Sequence, residues 1–440
     1  MATVAPKTRK HLSAEALFHL VRHGFATIPD ARGDDVDMTL PAALLSAFTM
    51  FSLKAPALLA FDQERAEGNL HTIYGIERVP CDTHMRAILA PISPKGLRPV
   101  CKRLLRPLQR GKVLETMTFL ESHYLLALDG TEYFSSTTIH CASCVRRGHR
   151  NGSITYAHQM LGAALIHPDQ RAVIPLMPEP IGTLDGMEKN ACERKAAKRL
   201  VTKLRQEHPH LKCIITVDSL SAHAPHIETL HAHGLPYILG VKEGDHPYRF
   251  QQVQAAEHAD RVTWYERHAR ALGVVQRFRF VHDLPLNASH PDVRIHFIAY
   301  WEIGATQVQH WSWVTAIRVR KRHVYQLMRG GRARWKIETE TFKTLKTQGD
   351  HFKHNYGPGE QHLSVVFAML MLLAFLVDHA QQLCCALFQA VWAKLGSKRL
   401  VLERRRALFS PYALASIRQL LEALFYGLQK PPPVLSLDAT

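Results

Sequence analysis

Tyr124-Leu-Leu-Ala-Leu-Asp-Gly-Thr131 is an apolar run that ends on an acid. Its length and β-forming residues predict a strand, and its Asp-Gly pair carries a hairpin-turn signal. Two more β candidates follow, Ser153 to Ile166 and Arg171 to Leu176, joined by His167-Pro-Asp169. A helix is expected over Lys189 to Glu207, a strand over Lys212 to Val217, a helix over Ala224 to His233 and a strand over Pro236 to Val241. Hairpins followed by alternating helices and strands make a mixed α/β sheet. The Lys212–Val217 strand also ends on an acid, Asp218, at the position where such sheets commonly place ligands.

Around this centre the pattern changes twice. Residues 1–120 read as a helical N-terminal region, with apolar helical spacing over Leu12 to Val21 and Leu40 to Leu59 and an N-cap expected at Asp82. Residues 121–250 hold the strand-and-helix series, and 251–325 read as a β-rich insertion with strands at Arg261–Arg267, Gly273–Val281, Val293–Trp301 and Ser312–Arg318. Helices resume over 326–395, and 396–440 form a C-terminal helix and a Pro-rich tail. The apolar run Val365 to Val377 is shorter than the roughly 20 residues that span a bilayer, so a buried core helix is expected and no membrane association. The N-terminus lacks the apolar segment of a signal peptide, and the scattered cysteines suit a reducing cytoplasm.

Lys plus Arg total 55 against 38 Asp plus Glu, a formal charge of +17 that favours a polyanionic partner, nucleic acid first. Lys95 to Lys112 contains no acid, and Arg98, Lys102, Arg106 and Arg110 recur every four residues. On a helix they would share a phosphate-binding face, although Pro107 is expected to divide that helix.

A third acid stands in Arg334-Trp-Lys-Ile-Glu338. A helical wheel groups Trp335, Glu338, Phe342 and Leu345, which places Glu338 inward and Glu340 outward. An inward carboxylate needs a partner, either Arg334 four residues earlier or a metal ion. Asp129, Asp218 and Glu338 form a hard-oxygen set suited to two Mg²⁺ (or Mn²⁺) ions and phosphodiester chemistry. His140-Cys-Ala-Ser-Cys144, with His149 following, offers a second donor group: Cys141, Cys144 and His149 as zinc ligands, with His140 or His158 as a fourth, against two reduced thiols in a hairpin. No Gly-x-Ser-x-Gly elbow or Walker phosphate loop occurs.

Leu128-Asp-Gly-Thr131, Asp218, Gly330-Gly-Arg-Ala-Arg-Trp-Lys-Ile-Glu338, Phe342-Lys-Thr-Leu-Lys346 and the segment from Phe352 to His362 resemble bacterial insertion-sequence DDE transposases, whose last motif reads Tyr-x2-Arg-x3-Glu-x6-Lys. The resemblance spans about residues 120 to 380. It implies a ribonuclease H-like mixed sheet with a β-rich insertion before the catalytic Glu helix, preceded by an α-helical N-terminal domain. It also implies that Asp129, Asp218 and Glu338 are catalytic, that Arg334 helps hold the transposon-end DNA, and that two protomers act in a synaptic complex on terminal repeats and target DNA in the bacterial cytoplasm, at the nucleoid. Gly331 stands where the motif has tyrosine, with Tyr325 nearest. Leu345 stands where it has lysine, with Lys346 adjacent. The expected function is a transposase; the alternatives are a same-fold metal-dependent nuclease and a non-catalytic DNA-binding derivative.

Overall fold

The computed structural model describes residues 12–33, 36–63, 68–182, 189–219, 222–353, 356–357 and 359–427; the N-terminal decapeptide and the Pro-rich tail lie outside the described residues. The chain divides into two compact units, one of 1–111 with 345–440 and the other the uninterrupted stretch 112–344. This differs from the linear partition expected from sequence, in which 326–395 closed the catalytic core. Residues beyond 344 instead complete the N-terminal helical unit.

The first half of that unit holds α1 (Ala14–Phe25), α2 (Leu40–Ser52), α3 (Leu58–Gln63), α4 (Asp82–Leu89) and α5 (Arg98–Arg110). Ser13 and Thr39 cap α1 and α2 by accepting the amides of Ala16 and Ala42. The expected Leu40–Leu59 helix stops at Ser52, because Lys54 takes a left-handed φ of 59° and Pro56 follows. Asp82 does not cap α4. It is the first helical residue and pairs with Arg86 at 2.5 Å. Pro107 leaves α5 undivided, lying in its last turn, where it removes one backbone hydrogen bond. The basic stripe is also not a single open face. Arg98 is buried with Val100, Cys101, Leu104, Leu105 and Leu108, Lys102 is half-buried, and Arg106 and Arg110 are exposed. A four-residue spacing drifts by about 40° per step on a 3.6-residue helix, so the two ends of the stripe diverge.

The second unit is built on β1 (Tyr124–Ser136), β2 (Val145–Gly148), β3 (Ile154–His167), β4 (Gln170–Ile181), β5 (Cys213–Val217), β6 (Tyr237–Val241), β7 (Thr263–Ala269), β8 (Val274–Asn287), β9 (His290–Ile303) and β10 (Val308–Thr315). They form one sheet in the order β2-β3-β1-β5-β6-β10-β9-β8-β7, with β4 also on β3. β1, β3 and β4 are antiparallel neighbours, β5 and β6 run parallel to β1, and β10 turns back antiparallel on β6. All five residues of β5 are buried, as expected of a strand covered on both faces. The β-rich segment is therefore an extension of the main sheet, tied to it through β10. Asp129-Gly130 is not a turn: β1 continues through it for six more residues, paired with β3.

Helices α6 (Lys189–Glu207), α7 (Ala224–Ala232), α8 (Pro247–His258) and α9 (Val324–Ala333) belong to this unit, α6 packing on β3 and β4. A π-helix, Ile337–Lys343, follows α9 and packs on β1, β3 and β4. Beyond it come α10 (Thr344–Thr347), α11 (Leu363–Cys384), α12 (Ala386–Leu395), α13 (Lys398–Phe409) and α14 (Ile417–Tyr426). At 22 residues α11 is long and apolar enough to cross a membrane, and 89% of its most apolar 18-residue window is buried within the protein. It lies against α1, α2, α4 and α5, whose apolar faces need such a partner.

That helical core encloses charge. Lys54 Nζ lies 2.5 Å from Asp350 and 2.7 Å from Asp378, and Arg405 stands 3.3 Å from the other Asp378 oxygen. Burial alone would raise the Asp378 carboxyl, but Lys54 and Arg405 outweigh it and hold it at about 2.

Candidate active site

β1 and β5 are adjacent and parallel, with Ala127 opposite Thr216. Two residues further on, Asp129 and Asp218 therefore stand at the same level at the carboxyl end of β5. Asp129 Oδ1 accepts the amide of Gly130 at 3.0 Å. Gly130 has no side chain because Glu193 of α6 occupies that space: a Cβ there would come within 2.6 Å of Glu193 Oε1. Across the β1–β3 pair, Asp129 faces Gly162, whose missing Cβ admits the ring of Phe342 from the π-helix. Two glycines on neighbouring strands thus admit a carboxylate to β1 and the π-helix to β3.

Glu338 reaches this neighbourhood from the π-helix, in an orientation the helical wheel does not give. Its side chain is 49% exposed, whereas Glu340 is 24% exposed and lies 3.5 Å from Arg171. The chain turns at Arg334–Trp335 and then bonds i→i+5, so residues five apart fall in line. Ile337 and Phe342 are accordingly buried, while Trp335 and Glu338 face outward.

Arg334 joins the acids. Its Nη2 donates to Glu338 Oε1 at 2.5 Å, and its Nη1 lies 3.6 Å from Asp129 Oδ2. One guanidinium does not neutralise the group. Burial pushes the Asp129 carboxyl up to about 7; Arg334 opposes this, and the charges of Glu338, Asp218 and Glu193 reinforce it. Sequence reasoning missed Glu193, which carries no motif. Only Gly130 opposite a helix hinted that something packs there.

Beside Asp218 is a cavity of about 460 Å³ lined by Arg194, Ser219, His223, Asp245, His246 and Arg249. Arg249 is 3% exposed and donates Nη2 to the carbonyls of Ala222 and Leu286, while its Nε and Nη1 find no partner among the described residues. Burial lowers Arg249 only to about 10, so it stays charged at neutral pH, and it lowers His223 to about 4, which keeps that ring neutral. A buried guanidinium with two idle donors, next to the capping residues of α7 and α8, suits an anion.

The remaining expected contacts are dispersed. Tyr325 is stacked by Arg267 at 3.9 Å and flanked by Arg329 at 5.9 Å. Gly331 cannot give way to the motif's tyrosine, because even a Cβ would meet Trp313 Nε1 at 2.3 Å. Leu345 is fully buried and Lys346 half-buried, both in the helical unit with Arg98, Lys102, Arg106 and Arg110.

At the far end of β3 the structure gathers Cys141, Cys144 and His158. His149, the expected third ligand, is exposed and bonded to Thr155 at 2.7 Å, and His140 stacks on Tyr156 with ring centres 4.2 Å apart. Alternation along β3 explains the exchange: His158 points inward, opposite Phe134, while the β2–β3 turn carries His149 away.

No protein-family model matches the chain, and no curated protein matches it. Among solved structures, the piggyBac transposase synaptic complex with hairpin DNA aligns over 100% of this chain and 90% of that one, with 10% identity and a TM-score of 0.41. At that level of likeness neither fold nor function follows.

Proposed function

We propose that this chain is a DDE-type DNA transposase with a ribonuclease H-like core, in which Asp129, Asp218 and Glu338 form the catalytic centre. The observation that carries the reading is the convergence of acids from three separate elements, β1, the end of β5 and the π-helix, around the half-buried Asp129 carboxyl. The order β4-β3-β1-β5-β6, three antiparallel strands followed by two parallel ones, supports the core assignment. The β7–β10 meander before Glu338 suits the insertion, and the +17 charge suits a DNA partner in the compartment that holds the DNA.

The donor set fits divalent cations of the magnesium class. Arg334 pairs with two of the four carboxylates, and burial first, then the charges of Glu338, Asp218 and Glu193, raise the Asp129 carboxyl. All four offer hard oxygens. Asp129, Asp218 and Glu338 would hold the ions, with Glu193 behind them. When bound, two such ions would supply an activated attacking oxygen and a stabilised leaving oxygen. The chain's own groups provide the rest. β1 and β5 fix the two aspartates at one level, and Phe342 seated on Gly162 fixes the helix that carries Glu338. Arg334 bridges Asp129 and Glu338, and its fork can transfer to a DNA phosphate.

The test uses the full chain and DNA containing the sequences that flank its gene. Mg²⁺-dependent nicking and joining of a labelled 3′ end to a second duplex is the expected result. Asp129→Ala, Asp218→Ala and Glu338→Ala should each lower it by about a thousandfold or more, as loss of several kcal/mol of metal-borne stabilisation requires. DNA binding should survive in all three. Undiminished cleavage in any of them would overturn the assignment. Cleavage without joining would indicate a nuclease, and metal-independent binding without scission a non-catalytic DNA-binding protein.

A further inference from the structure

The loop between β1 and β2 folds back so that two cysteines meet a histidine from β3. Cys141 Sγ and Cys144 Sγ are 3.7 Å apart, and His158 Nε2 lies 3.3 Å from the first and 3.4 Å from the second. Tetrahedral zinc, with Zn–S of about 2.3 Å and Zn–N of about 2.0–2.1 Å, separates two sulfurs by about 3.8 Å and a sulfur from a nitrogen by about 3.5 Å. The observed triangle matches that spacing. It is much wider than the roughly 2.05 Å of a disulfide, and both cysteines are free thiols.

Two further features favour a cation over a chance contact. A single imidazole nitrogen cannot make a well-directed hydrogen bond to two sulfurs at once, whereas an ion between the three atoms satisfies all of them. The turn is also formed for chelation, since the Cys141 amide donates to Cys144 Sγ at 3.3 Å and the Cys144 amide to the Cys141 carbonyl at 3.2 Å. His158 and Cys144 are buried, with His158 between the rings of Tyr133 and Phe134, so the ligand positions are held by packing. Cys141 is half-buried, and a tetrahedral ion would complete its set with water or with His140 after that ring leaves Tyr156.

We infer that Cys141, Cys144 and His158 form a structural zinc site that fastens the β1–β2 loop to β3. The site holds the β2–β3 hairpin, with exposed Arg146, His149 and Arg150, on the strand that also carries Gly162 opposite Asp129. It does not depend on the role assigned to the acids.

The experiment is metal analysis of the full-length protein purified without added metal or chelator. About one zinc per chain is expected, with Cys144→Ser and His158→Ala losing it and His149→Ala keeping it. Cobalt exchanged into the wild type should show thiolate charge-transfer bands. Where a variant fails to fold, the wild type serves alone: chelation should release zinc and open residues 137–153 to proteolysis, and added zinc should restore protection. A wild type that carries no zinc and gives no thiolate–cobalt bands would overturn the site. So would a Cys141–Cys144 disulfide in the isolated protein, or zinc lost from His149→Ala and kept by His158→Ala.

Discussion

Asp129 carries two opposed demands. Its carboxyl is 19% exposed and shares its surroundings with Asp218, Glu338 and Glu193, so the ionised form is electrostatically disfavoured without a cation. Asp129→Asn should therefore stabilise the metal-free protein by about 1–3 kcal/mol while removing cleavage, a trade found where a site is arranged for function. Thermal denaturation with and without Mg²⁺ checks this: the ion should raise the midpoint of the wild type and leave Asp129→Asn unmoved. Gly162 acts on the same group from across the sheet. Gly162→Ala would place a methyl within 2.7–2.8 Å of the Phe342 ring, forcing the π-helix away at about 1–3 kcal/mol in stability and lowering cleavage more than DNA affinity. On the proposed reading, the two idle donors of Arg249 would meet a DNA phosphate. Arg249→Met should remove the buried charge beside Asp218 and flatten the salt dependence of DNA affinity by about one unit of slope, measured by titration at several salt concentrations.

Among the elements, strands were the most legible in sequence, because β-branched and aromatic residues mark them directly. The expected segments within 261–318 correspond to β7 to β10, and the apolar run Cys213 to Val217 is β5. Signals that depend on partners were not legible. Asp129-Gly130 has the composition of a turn, yet β3 pairs with it on one side and Glu193 needs the glycine's space. The wheel misplaced Glu338 because it assumes 3.6 residues per turn through a segment that turns at Arg334 and then widens to i→i+5. His158, expected only as an alternative fourth ligand, lies 14 residues beyond Cys144 and is brought to both sulfurs by strand register, while the nearer His149 faces away. Gly330 and Gly331 have a similar explanation, letting α9 lie directly on Phe119, Ile238 and Trp313. Gly331→Ala should lower stability by about 1–3 kcal/mol in denaturant titration, despite alanine's better helix propensity.

At the scale of the whole molecule, the helical unit depends on a charged network closed between distant parts of the chain. The Asp378 carboxyl sits at about 2, below its ordinary 3.8. A lowered carboxyl contributes stability above its unfolded value and loses it as the acid is protonated, so about 2 kcal/mol should disappear between about pH 4 and pH 2. Denaturant titration across that range should show the loss in the wild type and not in Asp378→Asn, which should be the less stable protein at neutral pH. Lys54 comes from the loop after α2, Asp350 from the segment before α11, Asp378 from α11 and Arg405 from α13. The sheet unit between these parts is one continuous stretch, 112–344. During synthesis, then, the ribosome delivers the sheet complete while Lys54 and the side of α2 that meets α11 still lack their partners. The first 111 residues must wait through more than 230 further codons before α11 exists to cover them, an interval in which apolar surface meant for α11 stays uncovered.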